Sequence, residues 1–406
     1  MMREQDAKWV LNNFYAEMFN KNELEPFHDH QVDKVLRFQQ THKKYTKTPL
    51  ISLDNLSKYL NVEEIRVKDE SQRFGLNAFK VMGGIYAVGK YLSERLDRDI
   101  DGLSFDELCS PQTKEKLGEI TFISATDGNH GRGIAWAAKE FGQRSVIYLP
   151  KGSSKARLEA VQQEGAYGEI TDMNYDDTVR MCADLAEEKG WVMVQDTAWE
   201  GYDKIPLSIM QGYAAIAKEI VEELEAEEAK PPTHIFLQAG VGSFAAGIAA
   251  YFKNYYREQS PKIIVVEPEA ADTYYRSFSK GTGEMVPVTG HMNSIMAGLN
   301  CGEPNVRAFR ILNQYGYASF SCTDRLAAMG MRVLGNPLGT DEKIISGESG
   351  AIPLGLLFYL QKYADSEAVK ALQLDEKSRV LIINTEGDTD EEHYLDVVWK
   401  GLYPNS

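Results

Sequence analysis

Lys80 stands in "NAFKVMGG" (77–84), one amine among small and apolar residues where a helix is predicted to begin. The positive end of a helix dipole disfavours a proton on a neighbouring amine, and a neutral amine can attack a carbonyl. Ala78, Phe79, Val81 and Met82 do not describe the solvated face that an isolated lysine normally occupies, and Gly83 and Gly84 are read as room for a flat ring. A second stretch, "QAGVGSFAAG" (238–247), follows an apolar β-branched run and opens a predicted helix. The backbone N–H groups of Gly240, Val241, Gly242 and Ser243 would then face an anion, with the Ser243 hydroxyl as a further donor. Phosphate suits this turn. The spacing Gly240-x-Gly242-x-x-Ala245, with Glu267 ending the next predicted strand, equally fits a dinucleotide, and a tight turn without a ligand would also need glycine.

A third stretch, "SATDGNHGRG" (124–133), packs Asp127, Gly128, Asn129, His130 and Gly131 into another strand-to-helix turn. Its glycines allow close approach to a flat ligand that the Asn129 amide can hydrogen-bond, although a simple helix cap would use the same residue types. His130 is read as a packing residue rather than a base. A sheltered lysine, a phosphate loop and a flat-ligand turn together point to pyridoxal 5′-phosphate held on Lys80 as a Schiff base. A nicotinamide oxidoreductase would explain the loop at 240–245 but gives Lys80 and "TDGNHG" nothing to do.

The elements that must position these residues alternate along the chain. Apolar runs at 119–126, 144–150, 191–196, 233–240, 262–269 and 379–388 read as strands, most of them followed by amphipathic stretches that read as helices. That alternation predicts two doubly wound α/β domains with ligands at the strand C-terminal ends, in the cleft between them. The expected division is a larger cofactor-binding domain of residues 1–91 plus 204–406 and a smaller one of residues 92–203. The stretch 97–118 reads as a long connection and "KPPT" (230–233) as a helix stop.

Composition limits the partners. The 406 residues carry a formal charge of −16, so nucleic acid and anionic membranes are poor candidates. Charges interrupt the N-terminal "MMREQDAKWVLNNF", and no uncharged apolar run approaches the ~18 residues of a membrane span, which leads us to expect a cytoplasmic protein. Four scattered cysteines and no metal-ligand spacing suggest neither a disulfide framework nor a metal site.

From "TPL" (48–50) to "TEGDTD" (385–390) the chain resembles the fold-type II pyridoxal-phosphate enzymes, the group of tryptophan synthase β chains, threonine synthases and serine/threonine dehydratases. Within that group its departures resemble the diaminopropionate ammonia-lyases. Where dehydratases carry Ser-Phe-Lys and then Arg-Gly, this chain has Ala78-Phe79-Lys80 and then Val81-Met82-Gly83-Gly84; where they carry Ser-Ser-Gly-Asn-His, it has Thr126-Asp127-Gly128-Asn129-His130. The resemblance implies that Lys80 carries the cofactor, Asn129 contacts its 3′-oxygen, Gly240, Val241, Gly242 and Ser243 hold its phosphate, and Thr385 hydrogen-bonds its pyridine nitrogen. A hydroxyl at that nitrogen leaves the ring a milder electron sink, which suits β-elimination. Asp127 then stands as a catalytic carboxylate that also pairs with a substrate β-ammonium, and Asp196 in "QDTAW" either shares that task or caps a turn. "GESGA" (347–351) either lies near the cofactor or caps a helix. The implied activity is α,β-elimination of 2,3-diaminopropionate, in both enantiomers, to pyruvate and two ammonia by a homodimer. The alternatives are a serine/threonine dehydratase or another β-eliminating or β-replacing enzyme of the same fold, then the oxidoreductase.

Overall fold

A computed structural model describes residues 6–16, 21–126, 128–290, 292–364 and 366–404. Its strands are β1 (Ala7–Leu11), β2 (Leu50–Ser52), β3 (Glu64–Asp69), β4 (Thr121–Ala125), β5 (Arg144–Leu149), β6 (Tyr167–Ile170), β7 (Val192–Met193), β8 (His234–Gln238), β9 (Lys262–Pro268), β10 (Gly316–Cys322) and β11 (Arg379–Asn384). They form a seven-stranded sheet in the order β1-β10-β9-β8-β11-β3-β2 and a four-stranded sheet in the order β6-β5-β4-β7. The smaller sheet is wholly parallel, and the larger is parallel except for its edges β1 and β2.

Central strands such as "HIFLQ" are buried at every position because helices cover both faces, which is why they read as unbroken apolar runs. All four strands of the smaller sheet fall inside 92–203. The apolar core is nevertheless continuous, since Phe122, Ile134 and Ile147 of the smaller sheet region pack in one cluster with Ile85, Ile209 and Ile248. The connection at 97–118 holds two short helices, Phe105–Leu108 and Pro111–Leu117, the first closed by a capping box of Ser104 and Glu107.

The glycines after Lys80 serve packing rather than a ring. A Cβ on Gly83 would lie 2.6 Å from the Tyr213 ring, and one on Gly84 would lie 3.2 Å from the Gly133 carbonyl. In return, a Cβ on Gly212 would lie 2.4 Å from the Met82 carbonyl, and one on Gly133 would lie 3.0 Å from the Val81 nitrogen. Helix Val81–Arg95 therefore meets helices Lys204–Ala226 and Asn129–Glu140 backbone to backbone, which fixes Lys80 between the two sheets.

Helix Tyr175–Lys189 of the smaller region meets the segment at 302–303. Asp176 accepts from the Gly302 N–H, and Arg180 donates to Asp177 (2.8 Å) and Glu303 (3.1 Å). Burial, then the Glu303 carboxylate, pushes the Asp176 carboxyl up to about 6. A raised carboxyl binds its proton more tightly in the native state, so its stability contribution is lost as pH rises from the unfolded value of 3.8 through about 6. Asp176→Asn is expected to raise stability at pH 7 by about 1 kcal/mol and to flatten that window. Urea unfolding at pH 4, 5, 6 and 7 checks this, and an unchanged slope would remove Asp176 from the account.

Candidate active site

Lys80 directly precedes helix Val81–Arg95, and the loop that delivers it is zipped to the chain after β11. The Phe79 N–H donates to the Thr385 carbonyl and the Gly387 N–H to the Asn77 carbonyl, both at 3.0 Å. Asn77 adopts φ +60°, a left-handed conformation that asparagine tolerates better than most residues, and its amide donates to Asp388. Residues more than three hundred positions apart are thereby placed side by side. The Lys80 amine lies 2.5 Å from Asp196 Oδ2 and within 6 Å of the Phe79 and Tyr213 rings.

That ion pair differs from the neutral amine expected from the helix terminus alone, because a buried carboxylate, which favours the charged amine, lies beside Lys80. Asp196 follows β7 and is 2% exposed. Burial alone would raise its carboxyl, but the charge of Lys80, and after it that of His130, outweighs this and holds it at about 2. His130 is buried, with Nε2 at 3.0 Å from the Val194 carbonyl and Nδ1 at 3.9 Å from Asp196. It packs as read from the sequence, yet it also adds to the field at Asp196.

The loop 240–243 joins β8 to helix Ser243–Tyr256. Gly242 has φ +88°, and a Cβ there would lie 1.9 Å from the Tyr274 hydroxyl, so the turn accepts only glycine. The Ser243 hydroxyl, expected to face phosphate, donates instead to the Asp196 main-chain carbonyl. What the loop offers an anion is accordingly its backbone N–H groups at a helix N-terminus. Asn129 opens helix Asn129–Glu140, and its amide donates to Glu386 Oε2 at 2.5 Å. The Thr385 hydroxyl accepts from Gln238 Nε2 at 2.9 Å, which leaves its own hydrogen to donate elsewhere.

Lys80, Asn129, His130, Asp196, Gly240, Val241, Gly242, Ser243 and Thr385 all line one cavity. An amine, a glycine-built anion cradle and a hydroxyl with a hydrogen to give match the aldehyde, the phosphate and the ring nitrogen of pyridoxal phosphate, so the residues fit that group. Asp127 lies outside the described residues. Ser349 of "GESGA" lines the cavity while its N–H donates to Glu386 Oε1 at 3.0 Å, so the segment both begins helix Glu348–Lys362 and borders the site.

Glu386, Tyr175 and Cys301 also line the cavity and were not read as site residues, although Glu386 is the neighbour of Thr385 in a segment that was. Nothing local marks Tyr175 or Cys301. Glu267 is not available to a ribose: it is fully buried and accepts from the Tyr274 and Tyr275 N–H groups (2.8 Å each) and from Ser319 (3.0 Å) and Thr273 (3.2 Å). Burial lifts it to about 8. The dinucleotide reading loses its acid. Among the described residues no helix is long and apolar enough to cross a membrane, and no group of three or more His, Cys, Asp or Glu is placed to hold a metal.

Comparison with known proteins agrees with this cavity. The family model described as "Pyridoxal-phosphate dependent enzyme" matches residues 42–386. The diaminopropionate ammonia-lyase of Escherichia coli (strain K12) is 49% identical over 387 residues, 95% of each chain. Two crystal structures of the Escherichia coli enzyme superpose closely. Its complex with D-serine gives a TM-score of 0.91 at 46% identity, covering 98% of each chain. Its complex with an aminoacrylate-PLP azomethine reaction intermediate gives 0.90 at 45%, covering 100% of this chain and 99% of that one. With Lys80, the 240–243 loop and Thr385 gathered in one cavity and the family model matching residues 42–386, the chain belongs to the pyridoxal-phosphate dependent enzymes of fold type II.

Proposed function

We propose that this enzyme eliminates ammonia from 2,3-diaminopropionate, taking up one water to give pyruvate and two ammonia, and that it accepts both enantiomers. The observation that carries the reading is Asp196, a buried carboxylate held ionised 2.5 Å from Lys80, where a substrate β-ammonium needs a counter-charge. A dehydratase substrate has a neutral hydroxyl at that carbon, which can hydrogen-bond a buried carboxylate but cannot balance its charge.

Pyridoxal 5′-phosphate, when bound, supplies an aldehyde for the substrate α-amine and an electron sink for the charge left at Cα. The chain does the rest. Lys80 gives up its place to the substrate amine and its nitrogen then takes the α-proton. Asp196 binds the β-ammonium and keeps a proton on that nitrogen so that it departs as ammonia, and Asp127 shares this role and takes the proton from the opposite hand of Cα. Thr385 donates to the ring nitrogen, Asn129 to the 3′-oxygen, and the 240–243 N–H groups hold the phosphate. The cleft between 1–91 plus 204–406 and the smaller 92–203 unit brings these groups together, in a cytoplasmic homodimer whose mass light scattering on the purified enzyme checks.

Counting products tests the reaction. Two ammonia per pyruvate are expected from diaminopropionate; one per keto acid from serine or threonine, with diaminopropionate inert, would replace this reading by a dehydratase. In the same assay Asp127→Asn should impair one enantiomer more than the other, and equal losses would count against a second proton acceptor.

A further inference from the structure

Asn305 is fully buried and begins helix Val306–Tyr315, where its Oδ1 accepts from the N–H groups of Arg307 (2.9 Å) and Ala308 (3.1 Å). Aspartate, serine or threonine would cap a helix as well. Of these only asparagine pairs the accepting oxygen with a separate amide nitrogen, and the two oxygens that nitrogen meets both belong to active-site residues. Nδ2 lies 3.0 Å from the Asp196 carbonyl and 2.8 Å from Ser243 Oγ, while the Asn305 main-chain N–H donates to the Val241 carbonyl at 2.8 Å. Because Nδ2 donates to the Ser243 hydroxyl, that hydroxyl directs its own hydrogen to the Asp196 carbonyl. Two donors from the larger sheet's elements thus converge on one carbonyl at the end of the smaller sheet.

We propose that Asn305 is a positioning residue that locks the Asp196 main chain to the phosphate loop, so that filling the loop and placing the Asp196 carboxylate beside Lys80 are one event. The inference rests on the site reading above. It gives the Ser243 hydroxyl a task other than touching phosphate. It also gives a reason for the helix at 306–315 to start where it does, against Val241 and Asp196 together.

Asn305→Asp keeps both cap acceptors but replaces the donor by an oxygen, and the Ser243 hydroxyl would turn to the new carboxylate, so that the Asp196 carbonyl loses both donors. Asn305→Ser keeps the cap, adds no charge and is too short to reach; it serves where the buried carboxylate prevents folding. Apoprotein is titrated with pyridoxal phosphate and followed by absorbance, its thermal melting is recorded, and kcat and KM of the loaded enzyme are measured. Asn305→Ser should melt close to wild type and Asn305→Asp lower; both, once folded, should bind pyridoxal phosphate about tenfold more weakly and lose kcat by about tenfold with a smaller change in KM. The kcat loss should shrink in an Asp196→Asn background, because a residue acting through Asp196 has nothing left to position. Affinity and kcat equal to wild type, or a kcat loss of the same size in both backgrounds, would overturn the proposal. Wild-type apoprotein that takes up no pyridoxal phosphate would sink the site reading itself, and this inference with it.

Discussion

Lys80→Ala is expected to fold and to lose activity by at least on the order of 10³-fold, since it removes the group that holds the cofactor and takes the α-proton. The readout is direct: wild-type protein should be yellow and trap a borohydride-stable pyridoxyl adduct on Lys80, whereas the variant should trap none. Its surroundings add a second consequence. Asp196 is held at about 2 chiefly by Lys80 against its own burial, so without the amine the carboxyl must move up towards the value that burial dictates. Lys80→Arg separates the two effects. A guanidinium keeps a positive charge beside Asp196 but neither attacks an aldehyde nor gives up a proton, so this variant should match wild type in stability and Lys80→Ala in inactivity. Residual turnover above about 1% in both variants would mean that another group takes the α-proton.

What the sequence made legible follows from which signals are local. β4, β5, β8, β9 and β11 announce themselves as apolar runs, and the glycines of 240–242 announce a turn that admits no side chain. β3 and β10 were not read. "EIRVKD" carries four charges in six residues, and "GYASFSC" has no β-branched residue and alternates only from Ala318 to Cys322; both are strands because their neighbours complete the sheet. The cofactor residues were readable because each sits in a motif, Lys80 in "AFK", Asn129 in "GNH" and Thr385 in "NTEGD". Asn305 and Glu386 were not, because their meaning lies in partners 109 and 257 positions away. Gly83 and Gly84 carry a signal with two meanings. Small residues beside a reactive lysine suggest room for a ligand, but close approach of two helices asks for the same residues.

Glu219→Gln is expected to cost about 3–5 kcal/mol of stability. Lys68, Glu70, Arg73 and Glu219 have side chains no more than 1% exposed. Arg73 donates from Nε and Nη2 to the two oxygens of Glu70 (2.7 Å each) and from Nη1 and Nη2 to those of Glu219 (2.9 and 2.7 Å). Lys68 lies 3.0 Å from Glu219 and donates to the Thr48 carbonyl, and the Tyr45 hydroxyl donates to Glu219 at 2.5 Å. Arg73 and Lys68 thus meet Glu70 and Glu219, with Glu223 at 3.5 Å from Lys68 at the rim of the network. Glutamine in place of Glu219 preserves shape but leaves Lys68 with only the partly exposed Glu223 at 3.5 Å as counter-charge, and it turns an amide donor towards groups that are themselves donors. Burial would raise the Glu219 carboxyl, yet Arg73, then Lys68, hold it well below the usual carboxylate range. A depressed carboxyl contributes stability that is present above the unfolded value of 4.5 and lost as pH falls below it. Urea unfolding should therefore show wild type weakening as the pH is lowered from 5 to 3 and the variant, already weak, changing less. The network has a further bearing on catalysis, because Arg73 begins the loop that carries Lys80, and Glu219 lies on helix Lys204–Ala226, against which Gly83 packs. Freed from Glu219, the 74–79 amides should exchange hydrogen faster than in wild type while the β8 amides at 234–238 do not. Equal acceleration everywhere would mean that the network holds the whole fold rather than this loop.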